Sequence, residues 1–199
     1  QPRSRGLGDV YKRQGWDDKN MNAPEVASMA ESEGVDAITV HPRTRAQKFS
    51  GHAPWDIIKS VVETVNIPVT GNGDVCSMSD ARKMKNYTGC DSVMIGRAAY
   101  HSPYFLAEVE KEIFINQNIL TRAEVMERMI PYIKEETKKG TRLNQIMRHT
   151  IGLFHGQKGS TYWKRYLSEN LCIREADLQK VNHIMDHIQN NTVTTSLGT

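Results

Sequence analysis

The chain has 199 residues, a quarter of them charged, with a formal net charge of +3 and a negative mean hydropathy. That is room for one domain, or for a small domain beside part of a larger one, and its composition is that of a soluble globular protein. No apolar run approaches the length of a membrane span and no signal peptide opens the chain, while Cys76, Cys90 and Cys172 have neither pairing nor metal-ligand spacing, so the expected setting is a reducing cytoplasm with no metal.

Residues 1–14 stand apart. They are rich in Arg and Gly, carry no apolar period and read as a non-native or disordered start. Residues 22–33 are a predicted helix, with Pro24 in the first turn, Val26, Met29 and Ala30 as its inner stripe, and Gly34 as its stop. Val35 to Val40 is a predicted buried strand, followed by His41-Pro42-Arg43-Thr44-Arg45. Residues 53–65 form the next helix, with Trp55, Ile58, Val61, Val62 and Val65 facing in.

Ile67-Pro68-Val69-Thr70-Gly71-Asn72-Gly73-Asp74-Val75 comes next. It is too short for a helix, flanked by breakers, and reads as a buried parallel strand ending in a glycine turn. Ser77 with Asp80 caps the following helix, and Gly89 closes it. The strand Ser92 to Ile95 ends in Gly96-Arg97, and a helix spans about Pro103 to Ile113. Gly34-Val35-Asp36 and Gly89-Cys90-Asp91 each precede an apolar strand, a weak repeat. Alternating strands and helices imply a parallel sheet with right-handed crossovers. Three clear strands fit either an open sheet or one half of a (β/α)8 barrel.

After Asn116 no strand pattern remains. Thr121 with Glu124 caps a helix whose predicted inner face is Val125, Met129, Tyr132 and Ile133. Leu143, Ile146, Met147, Thr150, Ile151 and Phe154 keep helical spacing, and further helices are expected over residues 161–170 and 175–189. The organisation predicted is thus a partial barrel over 15–116, a helical domain over 117–190 and a loose tail over 191–199. Between Thr137 and Ser168 lie seven of the chain's 26 Lys and Arg and no Asp or Glu, so the remainder is net acidic. Such a block is either a solvated helical face or a surface for a polyanion.

Two glycine turns at the ends of adjacent strands, Asn72-Gly73-Asp74 and Gly96-Arg97, could form one anion nest, with Arg97 adding a forked contact to a phosphate. His41 faces the same rim. Arg43 and Arg45, two apart on an extended segment, would project the same way and suit neighbouring phosphates. In the helical part, Arg148-His149 lie on the outer side of the apolar stripe. Tyr162, Trp163 and Tyr166 interleave with Lys158, Lys164 and Arg165, either as a base-stacking surface or, for Trp163 and Tyr166, as core. The cysteines read as structural.

The ordered set His41-Pro42-Arg43-Thr44-Arg45, Phe49-Ser50-Gly51, Trp55, Ile67-Pro68-Val69 with Gly71-Asn72-Gly73-Asp74, then Met94-Ile95-Gly96-Arg97-Ala98 and Pro103, resembles the tRNA-dihydrouridine synthases. Arg148-His149 in a helix resembles that family's C-terminal helical domain, and the resemblance runs from about Gly15 to Asn170. It implies an α/β fold, the C-terminal half of a (β/α)8 TIM barrel followed by a small all-α domain. The reaction it implies is flavin-dependent reduction of uridine to 5,6-dihydrouridine in tRNA. NADPH would reduce FMN, and a cysteine would supply the proton. By resemblance, Asn72, Gly73, Asp74, Gly96 and Arg97 hold the FMN phosphate, His41 contacts the flavin, and Arg43, Arg45, Arg148 and His149 face the tRNA.

Three departures accompany it. Pro42 stands where the family usually has Gly or Ala. Tyr11 stands two residues before Arg13, where a flavin-contacting Lys is usual. None of the three cysteines occupies the place of the catalytic acid. The expectation is a chain lacking the first four barrel strands, inactive alone, weak for FMN and prone to self-association along its open sheet edge. The other readings are a different FMN- or phosphate-binding barrel oxidoreductase and a non-catalytic RNA-binding protein. The basic helical block argues against the first, and the phosphate grip against the second.

Overall fold

The computed structural model describes residues 9–17, 21–48, 50–170 and 178–193. Contacts divide the chain into two compact units, Gln1–Ala98 and Ala99–Thr199. The division falls earlier than the change of sequence style after Asn116.

The first unit is a parallel sheet with crossover helices. Its elements are β1 (Asp9–Arg13), α1 (Ala23–Ser32), β2 (Ala37–His41), α2 (Asp56–Thr64), β3 (Val69–Asn72), α3 (Met78–Thr88) and β4 (Ser92–Met94). The strands pair in the order β1-β2-β3-β4, all parallel. Arg13 is opposite His41, Val40 opposite Gly71, and Asn72 opposite Met94. This register brings the ends of β2, β3 and β4 to one edge of the sheet.

The sheet has four strands, not three. Asp9–Arg13, which composition sets outside the fold, is a strand along the whole of β2. Its Val-Tyr-Lys-Arg run carries no apolar period, and its positions are exposed or half-buried. β4 is mostly exposed, with only Val93 half-buried, where a buried strand is predicted. The core lies between β2, β3 and the helices: Ile38, Val40, Ile58, Val61, Val69 and Met84 are almost wholly covered.

On helix α1, Ala23 and Ala27 are buried with Val26 and Ala30 half-buried on the same face, so the predicted stripe holds except at Met29, which points to solvent. Helix α3 follows expectation at both ends: Ser77 Oγ accepts from the Asp80 N–H, and Gly89 closes the helix at φ 73°. The repeated Gly-x-Asp has a job at its second copy, since Asp91 accepts from the Val69 N–H at 2.8 Å and pins the start of β3. Glu31 does likewise for the Asn66 N–H.

The described residues of the second unit form helices joined by turns and loops, with no strand among them. It holds α5 (Phe105–Glu112), α6 (Arg122–Lys138), α7 (Leu143–Met147), α8 (Ser160–Asn170) and α9 (Leu178–Val193), and the division between units falls within the short α4 (Arg97–His101). A full capping box, Thr121 with Glu124, opens α6. Met126 and Ile133 are its buried residues, while Tyr132, predicted to face in, is exposed. The spacing from Leu143 to Phe154 does not make one long helix. After α7 the chain tightens into a 3-10 turn, Arg148–Thr150, and then into successive turns. Tight turns nevertheless keep Leu143, Ile146, Met147, Thr150, Leu153 and Phe154 buried around Trp163. Trp163 is core, with its Nε1–H donating to the Thr150 carbonyl at 3.0 Å. The predicted start of the last helix, residues 175–177, lies outside the described residues.

Candidate functional site

The residues at the shared sheet edge converge on Asp74. It sits at φ 55°, a left-handed conformation that turns its carboxylate back over the end of β3. The carboxylate accepts from Arg43 Nη2 at 2.8 and 2.7 Å, from the Ala53 N–H at 2.8 Å and from Arg97 Nη2 at 3.1 Å. Burial alone would raise its pKa. The Arg43 and Ala53 hydrogen bonds and the charges of Arg43 and Arg97 more than offset this and hold it below the usual carboxylate value.

Arg43 is 2% exposed. Besides Asp74 it donates to the Ser50 carbonyl at 3.3 Å and to the Gly51 carbonyl. It therefore does not face outward, as spacing and resemblance suggested. The segment from Arg45 to Lys48 is a turn rather than an extended strand, so the two arginines do not project together. Arg45 is exposed, with its guanidinium 4.0 Å from the centre of the Trp16 ring.

His41 is buried, and its Nδ1 accepts from the Arg43 N–H at 3.2 Å. Burial lowers its pKa to about 4, helped by the charges of Arg13, Arg43 and Arg97 and opposed by Asp74. At neutral pH the ring is uncharged, and since Nδ1 is an acceptor, Nε2 carries the proton.

A cavity of about 250 Å³ opens at this edge, lined by Arg13, His41, Asn72, Gly73, Asp74, Gly96 and Arg97, together with Tyr11, Val75, Cys76, Met94 and Ala98. The six cofactor-site residues read from the sequence thus share one cavity, although their roles differ. Asn72 donates to Met94 Sδ at 2.9 Å. Gly73 has φ 134°, and a Cβ there would stand 2.8 Å from the Ala53 methyl, so its small size serves packing. Gly71 serves packing too, for a Cβ would meet Met84 Sδ at 2.8 Å. Of the two glycines that line the cavity, Gly96 faces open space, with no atom within 4 Å of where a Cβ would stand. Arg97 is 54% exposed beside it.

Sequence reading missed several of these residues. Cys76, taken as structural, is exposed and lines the cavity, while Cys90 is buried as expected. Cys172 lies outside the described residues. Ser50, Gly51 and Trp55 belong to the recurring motif set without an assigned task. They brace the site: two carbonyls hold Arg43, and Trp55 Nε1 donates to the Gly73 carbonyl at 3.0 Å. Nothing in their spacing signals this: the Ser50 and Gly51 carbonyls meet Arg43 because their own loop folds back, and Trp55 meets the turn after another strand.

In the second unit Arg148 and His149 are both exposed, as expected. Arg148 Nε donates to His149 Nε2 at 3.2 Å, and the His149 ring meets Tyr100 edge-on at 6.0 Å. Among the described residues no group of His, Cys, Asp and Glu could hold a metal ion, and no helix is long and apolar enough to cross a membrane.

The sequence matches the dihydrouridine synthase (Dus) family over residues 9–191. The chain belongs to the dihydrouridine synthase family. The match begins at the first residue of β1. Among similar proteins, a probable tRNA-dihydrouridine synthase of Rickettsia conorii is 48% identical over 101 residues, covering 51% of this chain and 30% of the relative. The tRNA-dihydrouridine synthase B of Klebsiella pneumoniae is 38% identical over 125 residues, covering 62% of this chain and 39% of the relative. That of Yersinia pestis is 44% identical over 98 residues, 49% of this chain and 30% of the relative. The aligned stretch is thus less than half the length of each of these relatives.

Proposed function

We propose that this chain supplies the phosphate-holding rim and an RNA-facing helical unit for flavin-dependent reduction of uridine in tRNA, on one part of a (β/α)8 barrel. Family membership supports the reaction class. The observation that carries the cofactor reading is the cavity at the strand ends, where open backbone at Gly96 stands beside half-exposed Arg97. Its ionic groups are Arg13, Arg97 and one already paired carboxylate, Asp74, so the local balance suits an anion. At about 250 Å³ it falls below the roughly 300–1,000 Å³ typical of drug-sized ligands. The described residues therefore fit the phosphate end of FMN and its immediate surroundings, not a whole flavin.

FMN, reduced by NADPH, would supply a hydride for the C5–C6 bond of the uracil. The chain's own residues bind and orient. Gly96 lets a phosphate approach the backbone, Arg97 adds a charged donor, and neutral His41 offers Nε2–H as a fixed donor to a ring acceptor. Exposed Arg148, His149 and Arg45 offer contacts to tRNA phosphates.

The test is a titration of the chain with FMN and with riboflavin, which differ by the phosphate, read by flavin fluorescence. At least about tenfold tighter binding of FMN is expected, near 1.4 kcal/mol at room temperature. Equal affinity for the two ligands overturns the phosphate assignment.

A further inference from the structure

Two of the residues assigned to ligands, Arg43 and Asp74, are engaged with each other, and their arrangement has a direction. Arg43 is the buried end. Its guanidinium is anchored by two carbonyls on one loop and reaches a carboxylate on the next. Asp74, 27% exposed, is the middle: both of its oxygens bond Arg43 Nη2, Oδ2 also takes the Ala53 N–H, and Oδ1 also takes Arg97. Arg97, 54% exposed and bonded to Asp74 Oδ1, is the exposed end beside Gly96.

Two physical points follow. An unpaired carboxylate beside a phosphate would repel it, so Asp74 is compatible with an anion site only while a cation neutralises it. And a long arginine side chain at a cavity mouth is costly to order, so a fixed acceptor on one terminal nitrogen of its guanidinium spares the ligand part of that ordering.

We propose that Arg43 is a positioning residue, which holds Asp74 as a neutralised anchor and through it sets where the Arg97 guanidinium stands to receive a phosphate. This rests on the phosphate reading above and assigns Arg43 a part in cofactor affinity rather than in RNA contact. The groups facing Asp74 are Arg43, Arg97, the Ala53 N–H and, at longer range, His41.

The experiment uses the ratio of FMN to riboflavin affinity in the full chain. Arg97→Ala should reduce the ratio about tenfold and leave riboflavin binding unchanged. Arg43→Met should do the same although Arg43 does not line the cavity. Since Arg43→Met also strands a carboxylate, the deciding variant is Arg43→Met with Asp74→Asn, which removes both charges. This double variant should recover most of the urea midpoint that Arg43→Met loses, yet keep the lowered ratio. A merely structural Arg43 would recover ratio and stability together, and that result overturns the proposal. Should the double variant not fold, Arg43→Lys decides: it keeps the buried charge but not the fork to Ser50, Gly51 and Asp74, so a lowered ratio in a folded protein is expected and an unchanged one overturns the proposal. A parent chain that does not distinguish FMN from riboflavin sinks the phosphate reading itself. A parent that does, with variants that still do, sinks only the positioning role.

Discussion

Around Asp74 three charged groups are locked to one another and to backbone carbonyls, with one arginine wholly covered. Around Arg148 the charge is left in solvent, held by one imidazole and an aromatic edge. A buried charge needs partners, because an unsatisfied one is expensive: Arg43 Nε and Nη2 are bonded, Nη1 is buried without a hydrogen bond, and the bonds that are made fix its geometry. An exposed charge contributes little to the fold and is free to contribute to binding. The first region is suited to a small ligand that needs a defined pose. Under the proposed function, the second would meet a polyanion through many weak contacts.

The sharpest way to break this contrast is to delete both arginines in turn. Arg43→Met leaves Asp74 without its main partner and should cost about 2–3 kcal/mol, below the usual figure for a fully buried pair because Asp74 keeps some water. Arg148→Met should stay within about 0.5 kcal/mol. Urea unfolding of the two variants gives both numbers. Similar costs would mean that the two regions do not differ as described.

Gly71→Ala probes the same unit from the core side. A Cβ there meets Met84 Sδ at 2.8 Å and Cys90 Sγ at 3.2 Å, so α3 must shift, at a cost of about 1–3 kcal/mol. An unchanged melting point would show that Met84 simply swings aside.

The order of strands and helices in the first unit is legible in the sequence, because period, caps and glycine stops agree along β2, α2, β3 and α3. Half of the cavity's lining is legible as well, His41, Asn72, Gly73, Asp74, Gly96 and Arg97, because parallel strands put their loops on one edge. What is not legible is which way each side chain turns there. Arg43 and Arg45 share a spacing, yet only the first has carbonyls from Ser50 and Gly51 and a carboxylate from Asp74 around it, and those come together only in three dimensions. β1 is hidden because it has a single aliphatic residue and no buried position, so Val-Tyr-Lys-Arg looks like loop.

A pH scan sharpens the comparison next. His41 titrates at about 4 in the folded chain against about 6.5 unfolded. Its folded value is depressed, so its contribution is complete above pH 6.5 and is lost as pH falls towards 4. Solvent screening limits the effect to about 1–2 kcal/mol. Asp74 adds a separate loss below its ordinary value of 3.8. In His41→Gln the slope between pH 6.5 and 4 should flatten while the acid limb below 3.8 remains. A slope unchanged in this variant would assign the titration elsewhere. Exposed Arg148 is read by salt instead. Arg148→Ala should lower the slope of log affinity for tRNA against log salt by about one, and identical slopes would remove it from the RNA surface.

The smallest expected change in stability belongs to Gly96→Ala, and it is the most discriminating for the site. Gly96 does not have a positive φ, and a Cβ there meets nothing within 4 Å. The variant should be unchanged or up to about 0.5–1 kcal/mol more stable, because alanine restricts the unfolded chain. A glycine that packing does not require, at the mouth of a cavity beside Arg97, is left with one physical use, which is to let another group approach the backbone. FMN affinity should therefore fall several-fold while riboflavin affinity holds. The same substitution separates the two glycine turns, since Gly73 is closed off by Ala53 and Pro42 whatever the ligand. If Gly96→Ala binds FMN as tightly as the parent, the phosphate does not lie against this turn, and Arg97 alone must account for any preference over riboflavin.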